Sequence, residues 1–423
     1  MLDLKFIREN LEEVQKGVAA KRVTIEWDKI LDLDKQRREV ITRADDLRAR
    51  QNAANDEISQ CIKEKKDPKQ KIAAMKEISA QIAEFEPEAR RIEGELHEIL
   101  ITIPNIPHKS VPVGGEDKNE ILRHWSEPAK PDFKPKTHVE IAEALDIIDF
   151  KRAAKLSGSN FILFKKDGAR LERALINFML DLHTKEHGYT EVSPPFLVNR
   201  QAMTGTGQLP KMAEDMYHLD EEDLWLIPTA EVPITNIHRE EILKEEDLPV
   251  YYVGYTPCFR REAGSYGKDT RGMVRVHQFD KVEMVKFVRP EDSYDELEKL
   301  LANAETVLQR LGLPYRIKNL ASGDISFAAA KCYDIEVWAA GSDAWLEVSS
   351  CSNFEDFQAR RANIRFKGQE SKKAVFPHTL NGSGLALART VVAILENGQT
   401  KDGDVVIPEA LRPYMGGQEK ITR

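Results

Sequence analysis

Apolar residues in the first hundred positions recur at helical spacing. After a short amphipathic start (Leu4, Ile7, Leu11, Val14), one series runs through Ile30, Leu33, Val40, Ala44, Leu47, Ala54, Ile58 and Cys61, with Arg37 and Gln51 in the same seam. A second series, Met75, Ile78, Ile82, Phe85, Ala89, Ile92, Leu96 and Ile99, keeps the 3–4 spacing. Between them KEKKDPKQK (63–71) holds Pro68 as the breaker. Two such helices joined by one tight turn bury their seams only by folding back on each other, so the pattern predicts an antiparallel coiled-coil hairpin. A helix of about 35 residues reaches roughly 50 Å, the dimension of an arm and not of a globular core. Pro87 marks an expected kink or joint in the second helix.

The pattern then changes. IPNIPHKSVPVGGEDKNE (103–120) is rich in Pro and Gly and reads as a linker, which sets the expected domains at 1–110 and 111–423. The spacing predicts helix over 138–156 and over 168–188, the latter ended by Gly188. A strand is expected at YTEVSPPFLV, and strands dominate thereafter: DLWLIP, VYYVGYTPCF, MVRVHQFDKVEMVKF, CYDIEVWAA and WLEVSSCSNF. Helices intervene at 293–312 and 385–398. Neighbouring strands with few, segregated helices predict an α+β domain on an antiparallel sheet, since a doubly wound parallel sheet needs a helix between nearly every strand pair. Neither GxGxxG nor GxxxxGK[ST] occurs, and GTGQLP (205–210) is a superficial glycine match, so a bound ATP would lack a Rossmann or P-loop cradle.

The chemistry concentrates in residues 251–288, read as a hairpin with a long mobile connection, AGSYGKDTRG. Strand parity groups Arg275, His277, Phe279, Lys281 and Glu283 on one face, and Cys258, Arg260 and Glu262 on one face of the first strand. Unpaired buried charge costs several kcal/mol, roughly, so such a set implies a ligand. A nucleotide fits it: guanidinium for phosphate, a ring face for a purine, a carboxylate for an amine. A charged, solvated hairpin is the plainer alternative.

Composition narrows the classes. The 423 residues are 41% hydrophobic, enough for a sizeable core, and no apolar run approaches the roughly 18 residues of a membrane span. The N-terminal stretch carries acids and no apolar core, unlike a secretory signal. Cys61, Cys258, Cys332 and Cys351 lie far apart without a CxxC pair, against a disulfide framework or cysteine zinc site, and a reducing cytoplasm is expected. A net charge of -9 disfavours indiscriminate nucleic-acid binding. The hairpin tip is basic (Lys63, Lys65, Lys66, Lys69, Lys71), with Lys35, Arg37, Arg38, Arg43, Arg48 and Arg50 along the first helix, which suits phosphate contact or ordinary solvated coiled-coil positions.

Five segments in order carry a resemblance. HGYTEVSPP resembles the first motif of class II aminoacyl-tRNA synthetases, FRREAGS through RVHQFDKVE the second, and HTLNGSGLALART the third; IPTAEVP and WLEVSSCSNFEDFQARR resemble segments typical of the seryl-tRNA synthetase family. With the arm included, the whole chain is similar to the bacterial type of that family. The resemblance implies activation of L-serine with ATP and transfer to the terminal ribose of tRNA(Ser), and of tRNA(Sec). It also implies Mg²⁺, a homodimer formed through the first motif, and an arm that reaches the tRNA's long variable region.

It further implies site residues. The catalytic set is Arg260, Glu262 and Arg389: Arg260 bridges the carboxylate and α-phosphate, Glu262 accepts the adenine amine, and Phe279 stacks on the purine. Arg275 and Arg389 hold the outer phosphates, and Arg261, Val348 and Ser349 complete the ATP site. Glu347 and Ser350 resemble the Mg²⁺ ligands; positions three apart share a face only across a bulge or strand end, so one is expected there. Thr229, Ala230, Glu231, Arg260, Glu283, Asn381 and Ser383 resemble the serine site, with Glu283 on the hydroxyl. The family often has threonine where Ser383 stands, and the hydroxyl is retained.

Rival readings are a class II synthetase for another amino acid or an amino-acid:carrier-protein ligase, both lacking this arm, and a coiled-coil interaction protein with a degenerate catalytic domain. A serine hydrolase is disfavoured because NGSGL around Ser383 is no GxSxG elbow.

Overall fold

The computed structural model describes residues 1–263, 272–368 and 373–423. Two compact units separate: Leu2–Ala19 with Val23–Pro104, and Met1, Ala20–Arg22 and Asn105–Arg423.

In the smaller unit the periodic series form α1 (Trp27–Lys63) and α2 (Lys69–Leu100), packed antiparallel. Ile30, Leu33, Val40 and Leu47 are buried, as are Ile92, Leu96 and Leu100. Towards the turn Ala54, Ile58, Met75, Ile82 and Phe85 are half-buried, because a two-helix hairpin has no third layer to cover its seam. The polar seam positions find partners: Gln51 Nε2 donates to Ser79 Oγ at 2.9 Å, and Arg37 pairs with Glu93 at 3.7 Å. α2 runs through Pro87 without ending there. The basic tip is partly neutralised, with Lys66 on Glu64 (2.7 Å), Lys71 on Glu57 (2.8 Å) and Lys69 on Asp67 (3.7 Å).

The larger unit is built on an eight-stranded sheet. Its strands are β1 (Glu120–Trp125), β2 (Thr190–Glu191), β3 (Val250–Phe259), β4 (Gln278–Val288), β5 (Tyr315–Asn319), β6 (Lys331–Ala339), β7 (Ala344–Asn353) and β8 (His378–Ala386). They lie in the order β1-β5-β6-β7-β8-β4-β3-β2, antiparallel throughout except for the parallel β2/β3 edge pair. Helices α3 (Lys166–Lys185), α4 (Ser293–Leu311) and α5 (Leu387–Gly398) bury their apolar stripes, among them Leu171, Leu175, Leu300, Leu301, Val392 and Leu395, in one core with Val282 and Met284 of β4. Strand alternation sends Lys281 and Glu283 the other way, to a cavity. The α+β expectation therefore holds.

Three element boundaries need correction. The single helix expected over 138–156 is two, His138–Leu145 and Phe150–Ser157, because Asp146 turns left-handed (φ 53°) and Asp149 caps the second by accepting from Arg152 N. The strand expected at YTEVSPPFLV is two short ones, β2 and Leu197–Asn199, since Pro194 and Pro195 supply no ladder donors. MVRVHQFDKVEMVKF is strand only from Gln278 onward.

Candidate active site

β3 and β4 pair in register from Val250↔Phe287 to Phe259↔Gln278. Arg260, Glu262, Arg275 and His277 lie beyond the last rung, so strand parity does not place them, contrary to the sequence reading. Local contacts gather them instead. Arg260 N donates to His277 O (2.9 Å), Glu262 adopts a left-handed backbone (φ 51°), and Arg275 Nη1 meets Glu262 Oε2 at 3.1 Å. The Arg260 guanidinium stands 5.3 Å from the Phe279 ring centroid while its Nε donates to Pro228 O (3.3 Å). Most of the connection read as a mobile loop, 264–271, lies outside the described residues.

The second wall comes from β6, β7 and α5. Between β6 and β7 the register slips: Ile335 faces Ser349 and Glu336 faces Glu347, which leaves Val348 as the extra residue of a bulge. The expected bulge is present, and it brings Ser350 Oγ to 3.3 Å from Glu347 Oε1; the same hydroxyl donates to Asp334. Burial, then the Glu347 charge, push the Asp334 carboxyl above its ordinary range. Arg389, in the first turn of α5, donates to Glu347 O (2.8 Å) and Val274 O (3.1 Å) and lies 3.6 Å from Glu347 Oε2, tying β7 to the segment before β4. Glu347 and Ser350 offer a carboxylate and a hydroxyl, hard oxygens that fit a Mg²⁺ completing its shell with phosphate and water. Among the described residues no cluster of three or more His, Cys, Asp or Glu forms an all-protein cage.

Buried polar groups close the inner end. Lys281 Nζ lies 2.8 Å from Glu283 Oε2 and 2.7 Å from Thr229 Oγ1. Glu283 Oε2 also accepts from Ser383 Oγ (3.3 Å) and Thr229 Oγ1 (3.4 Å). Glu231 accepts from Gln358 Nε2 at 2.6 Å. Burial, then the neighbouring Glu283, raise the Glu231 carboxyl to about 7. Ser349 Oγ donates to Ser383 O (2.7 Å), joining this end to the bulged strand.

Most of these residues line one cavity of about 540 Å³. Arg260, Glu262, Arg275, Phe279, Glu347, Val348, Ser349, Ser350 and Arg389 face it, as do Thr229, Glu231, Glu283, Asn381 and Ser383. Arg261 and Ala230 do not: Arg261 is exposed with its N–H on Asp215 O (2.8 Å), and Ala230 is buried in an apolar cluster with Ile234 and Phe287. Sequence reasoning gave no role to Lys281, to Gly207 and Gln208 of the glycine segment set aside above, or to Ser326, Phe327 and Ala328. This last loop is held from afar. The buried Lys21 Nζ donates to Ser326 O (2.8 Å), Phe327 O (3.1 Å) and Ala329 O (2.6 Å), and Asn105 Nδ2 to Ala328 O (3.0 Å). Burial pushes the Lys21 ammonium well below its usual range, and nothing in the local sequence signals the role.

Residues 215–398 match the family model for the tRNA synthetase class II core domain (G, H, P, S and T), and residues 1–107 that for the seryl-tRNA synthetase N-terminal domain. The serine--tRNA ligase of Geobacter sulfurreducens is 58% identical over 422 residues, covering 100% of both chains. The chain belongs to the seryl-tRNA synthetase family. It is an enzyme, a class II ligase, as the motifs implied. The seryl-tRNA synthetase of Pyrococcus horikoshii complexed with ATP is similar at a TM-score of 0.90 and 41% identity, covering 100% of this chain and 99% of that one. The Naegleria fowleri cytoplasmic serine-tRNA ligase in complex with AMP is similar at 0.87 and 30%, with the same coverage. In this seryl-tRNA synthetase family member, no helix among the described residues is long and apolar enough to cross a membrane.

Proposed function

We propose that the chain activates L-serine with ATP and then transfers the seryl group to the 3′-terminal ribose of tRNA(Ser), and of tRNA(Sec). The carrying observation is that a guanidinium over an aromatic ring and a buried acid-and-hydroxyl pocket share one cavity. In the first step a serine carboxylate oxygen bonds to the α-phosphorus, and the bond to the β-phosphate breaks with its electron pair leaving on pyrophosphate. The nucleophile is already anionic, so no catalytic base is needed and the protein's task is to hold charges in place. In the second step the ribose hydroxyl oxygen bonds to the seryl carbonyl carbon, the bond from that carbon to the phosphate oxygen breaks with its electron pair leaving on AMP, and the hydroxyl proton passes to the departing phosphate.

Arg260 spans the carboxylate and the α-phosphate, Phe279 stacks on adenine, Glu262 takes its amine, and Arg275 and Arg389 hold the outer phosphates. Glu347 and Ser350 hold Mg²⁺, which neutralises phosphate charge when bound. Glu231 takes the serine ammonium and Glu283 the hydroxyl, with Thr229, Asn381 and Ser383 shaping the pocket. Residues 1–110 serve as the tRNA-binding arm of a catalytic domain at 111–423, in a cytoplasmic homodimer. The ATP- and AMP-bound relatives support the nucleotide reading.

Exchange of pyrophosphate into ATP, measured with each standard amino acid and no tRNA, is the test. Serine drives exchange at least about a hundredfold better than alanine or threonine, because an absent or misplaced hydroxyl leaves the pocket's polar groups unpaired. Comparable exchange with either competitor overturns the assignment.

A pH dependence follows from Glu231. Its carboxyl, raised to about 7, is protonated below that value and loses its hold on an ammonium. Serine KM therefore rises as pH falls through about 7, and Glu231→Gln gives a high, flat KM; an unchanged profile in that variant contradicts the role. The linkage has the corresponding sign. A carboxyl raised from 4.5 to about 7 in the folded state weakens the empty fold as pH climbs through that window. Serine's stabilisation in thermal melts should grow across it.

A further inference from the structure

Lys281 lines the cavity without being assigned any role. It is buried with its ammonium between Thr229 Oγ1 (2.7 Å) and Glu283 Oε2 (2.8 Å). The hydrogen bonds around it have a fixed direction. An ammonium only donates, so the Thr229 oxygen accepts from Lys281; it also accepts from the Glu231 N–H (3.3 Å), and its single proton is left for Glu283 Oε2 (3.4 Å). Ser383 Oγ adds a third donor to that same oxygen (3.3 Å). Among the described residues every donor to the Glu283 carboxylate meets Oε2, and none meets Oε1. The carboxylate is thus clamped by one oxygen, its charge balanced, with the other oxygen left as an acceptor.

The second carboxylate of the pocket is in a different position. Glu231 has the neutral amide of Gln358 on Oε1 at 2.6 Å and, among the described residues, no cation at salt-bridge distance. Two acids in one small pocket would by themselves both attract the ammonium that every amino acid carries. Such attraction tightens all substrates alike and discriminates nothing. A lysine fixed on one of them removes that acid from the competition.

We propose that Lys281 is a positioning residue for substrate choice: by clamping Glu283 through Oε2 it reserves Oε1 for the amino acid's side-chain hydroxyl and leaves the ammonium to Glu231. A substrate without the hydroxyl then leaves a buried carboxylate oxygen unpaired and is rejected. The inference rests on the serine-activation reading above, and deepens it by naming the group that makes Glu283 a hydroxyl acceptor.

The test is kcat/KM for serine and for alanine in pyrophosphate exchange. Lys281→Met removes the clamp and keeps the volume. Its serine-over-alanine ratio falls at least about tenfold, chiefly through loss with serine and relative gain with alanine. Lys281→Arg, which can still donate to Glu283, recovers part of the ratio. An equal loss with both amino acids, as a merely structural lysine gives, overturns the proposal.

Lys281→Met leaves Glu283 buried and uncompensated, a burden on folding, so a second comparison uses neutral isosteres of the pair. Glu283→Gln and Lys281→Met/Glu283→Gln have the same serine-over-alanine ratio, within about twofold, because the lysine acts only through the carboxylate. A further drop of about tenfold in the double variant overturns the proposal. The two readings fail separately: an unaltered protein without serine-dependent exchange sinks the proposed function, whereas an unaltered protein that prefers serine with these variants discriminating as before sinks only the role of Lys281.

Discussion

Arg260→Ala lowers serine-dependent pyrophosphate exchange by about 10²–10³-fold, while Lys66→Ala, at the tip of the helical hairpin, leaves it within about twofold. The expectation comes from how the cations of the cavity are committed. Among the described residues four line it: Arg260, Arg275, Lys281 and Arg389. Arg275 lies on Glu262, Lys281 on Glu283, and Arg389 near Glu347. Among the described residues Arg260 alone of the four has no carboxylate partner; its Nε holds Pro228 O and its guanidinium rests over Phe279. It lines the cavity with no described carboxylate to neutralise its charge. When an anionic carboxylate approaches an anionic α-phosphate, repulsion is the barrier that a fixed, desolvated cation between them relieves. Arg260→Lys keeps the charge but loses the two-pronged geometry, so it recovers only part of the rate. Single-turnover adenylate formation separates this effect from substrate affinity. A near-normal rate in Arg260→Ala would remove the charge-bridging assignment, and an equal deficit in Lys66→Ala would show that the assay reports something other than chemistry at this cavity.

The features legible in the sequence were those with a period. The 3–4 spacing through Ile30–Leu47 and Ile92–Leu96 foretold α1 and α2, and alternation in VYYVGYTPCF foretold β3, because each pattern records one buried face. Edge strands leave a weaker record. β1 has five of its six positions exposed, so EILRHW lacks the alternation that burial imposes. Parity brought Arg260, Glu262 and Arg275 together, as the structure does, but for a reason that does not hold there. The ladder ends at Phe259↔Gln278, and a left-handed Glu262 with its ion pair does the gathering. The bulge between Glu347 and Ser350 was legible as well, since residues three apart share a face only across one, and Val348 supplies it. What no pattern encodes is the long-range support. Lys21 lies 305 positions before Ser326, whose carbonyl it holds, and neither neighbourhood carries a motif that announces the other.

Removing Asp28 to Leu100 and joining the ends by a short flexible linker leaves pyrophosphate exchange within a few-fold of the intact protein but lowers charging of tRNA(Ser) by at least about a hundredfold. α1 and α2 are antiparallel, so the cut falls where the chain enters and leaves the hairpin. Lys21 and Asn105 stay in place on either side of it. The loop of Ser326, Phe327 and Ala328 therefore keeps its supports, and the wall of the cavity is preserved. Serine and ATP are small enough to need only that cavity, whereas a tRNA is far larger and is recognised across its backbone. Because Lys66, Lys69 and Lys71 are partly occupied by Glu64, Asp67 and Glu57, an RNA held by the arm as proposed would have to displace local ion pairs. That hold should weaken steeply with salt, as phosphate contacts that release counterions do. Charging KM for tRNA measured against salt concentration is accordingly steep for the intact chain and shallow for the deletion. Equal loss of exchange and charging would break the separation of roles. Undiminished charging by the shortened chain would assign tRNA recognition to residues outside the hairpin.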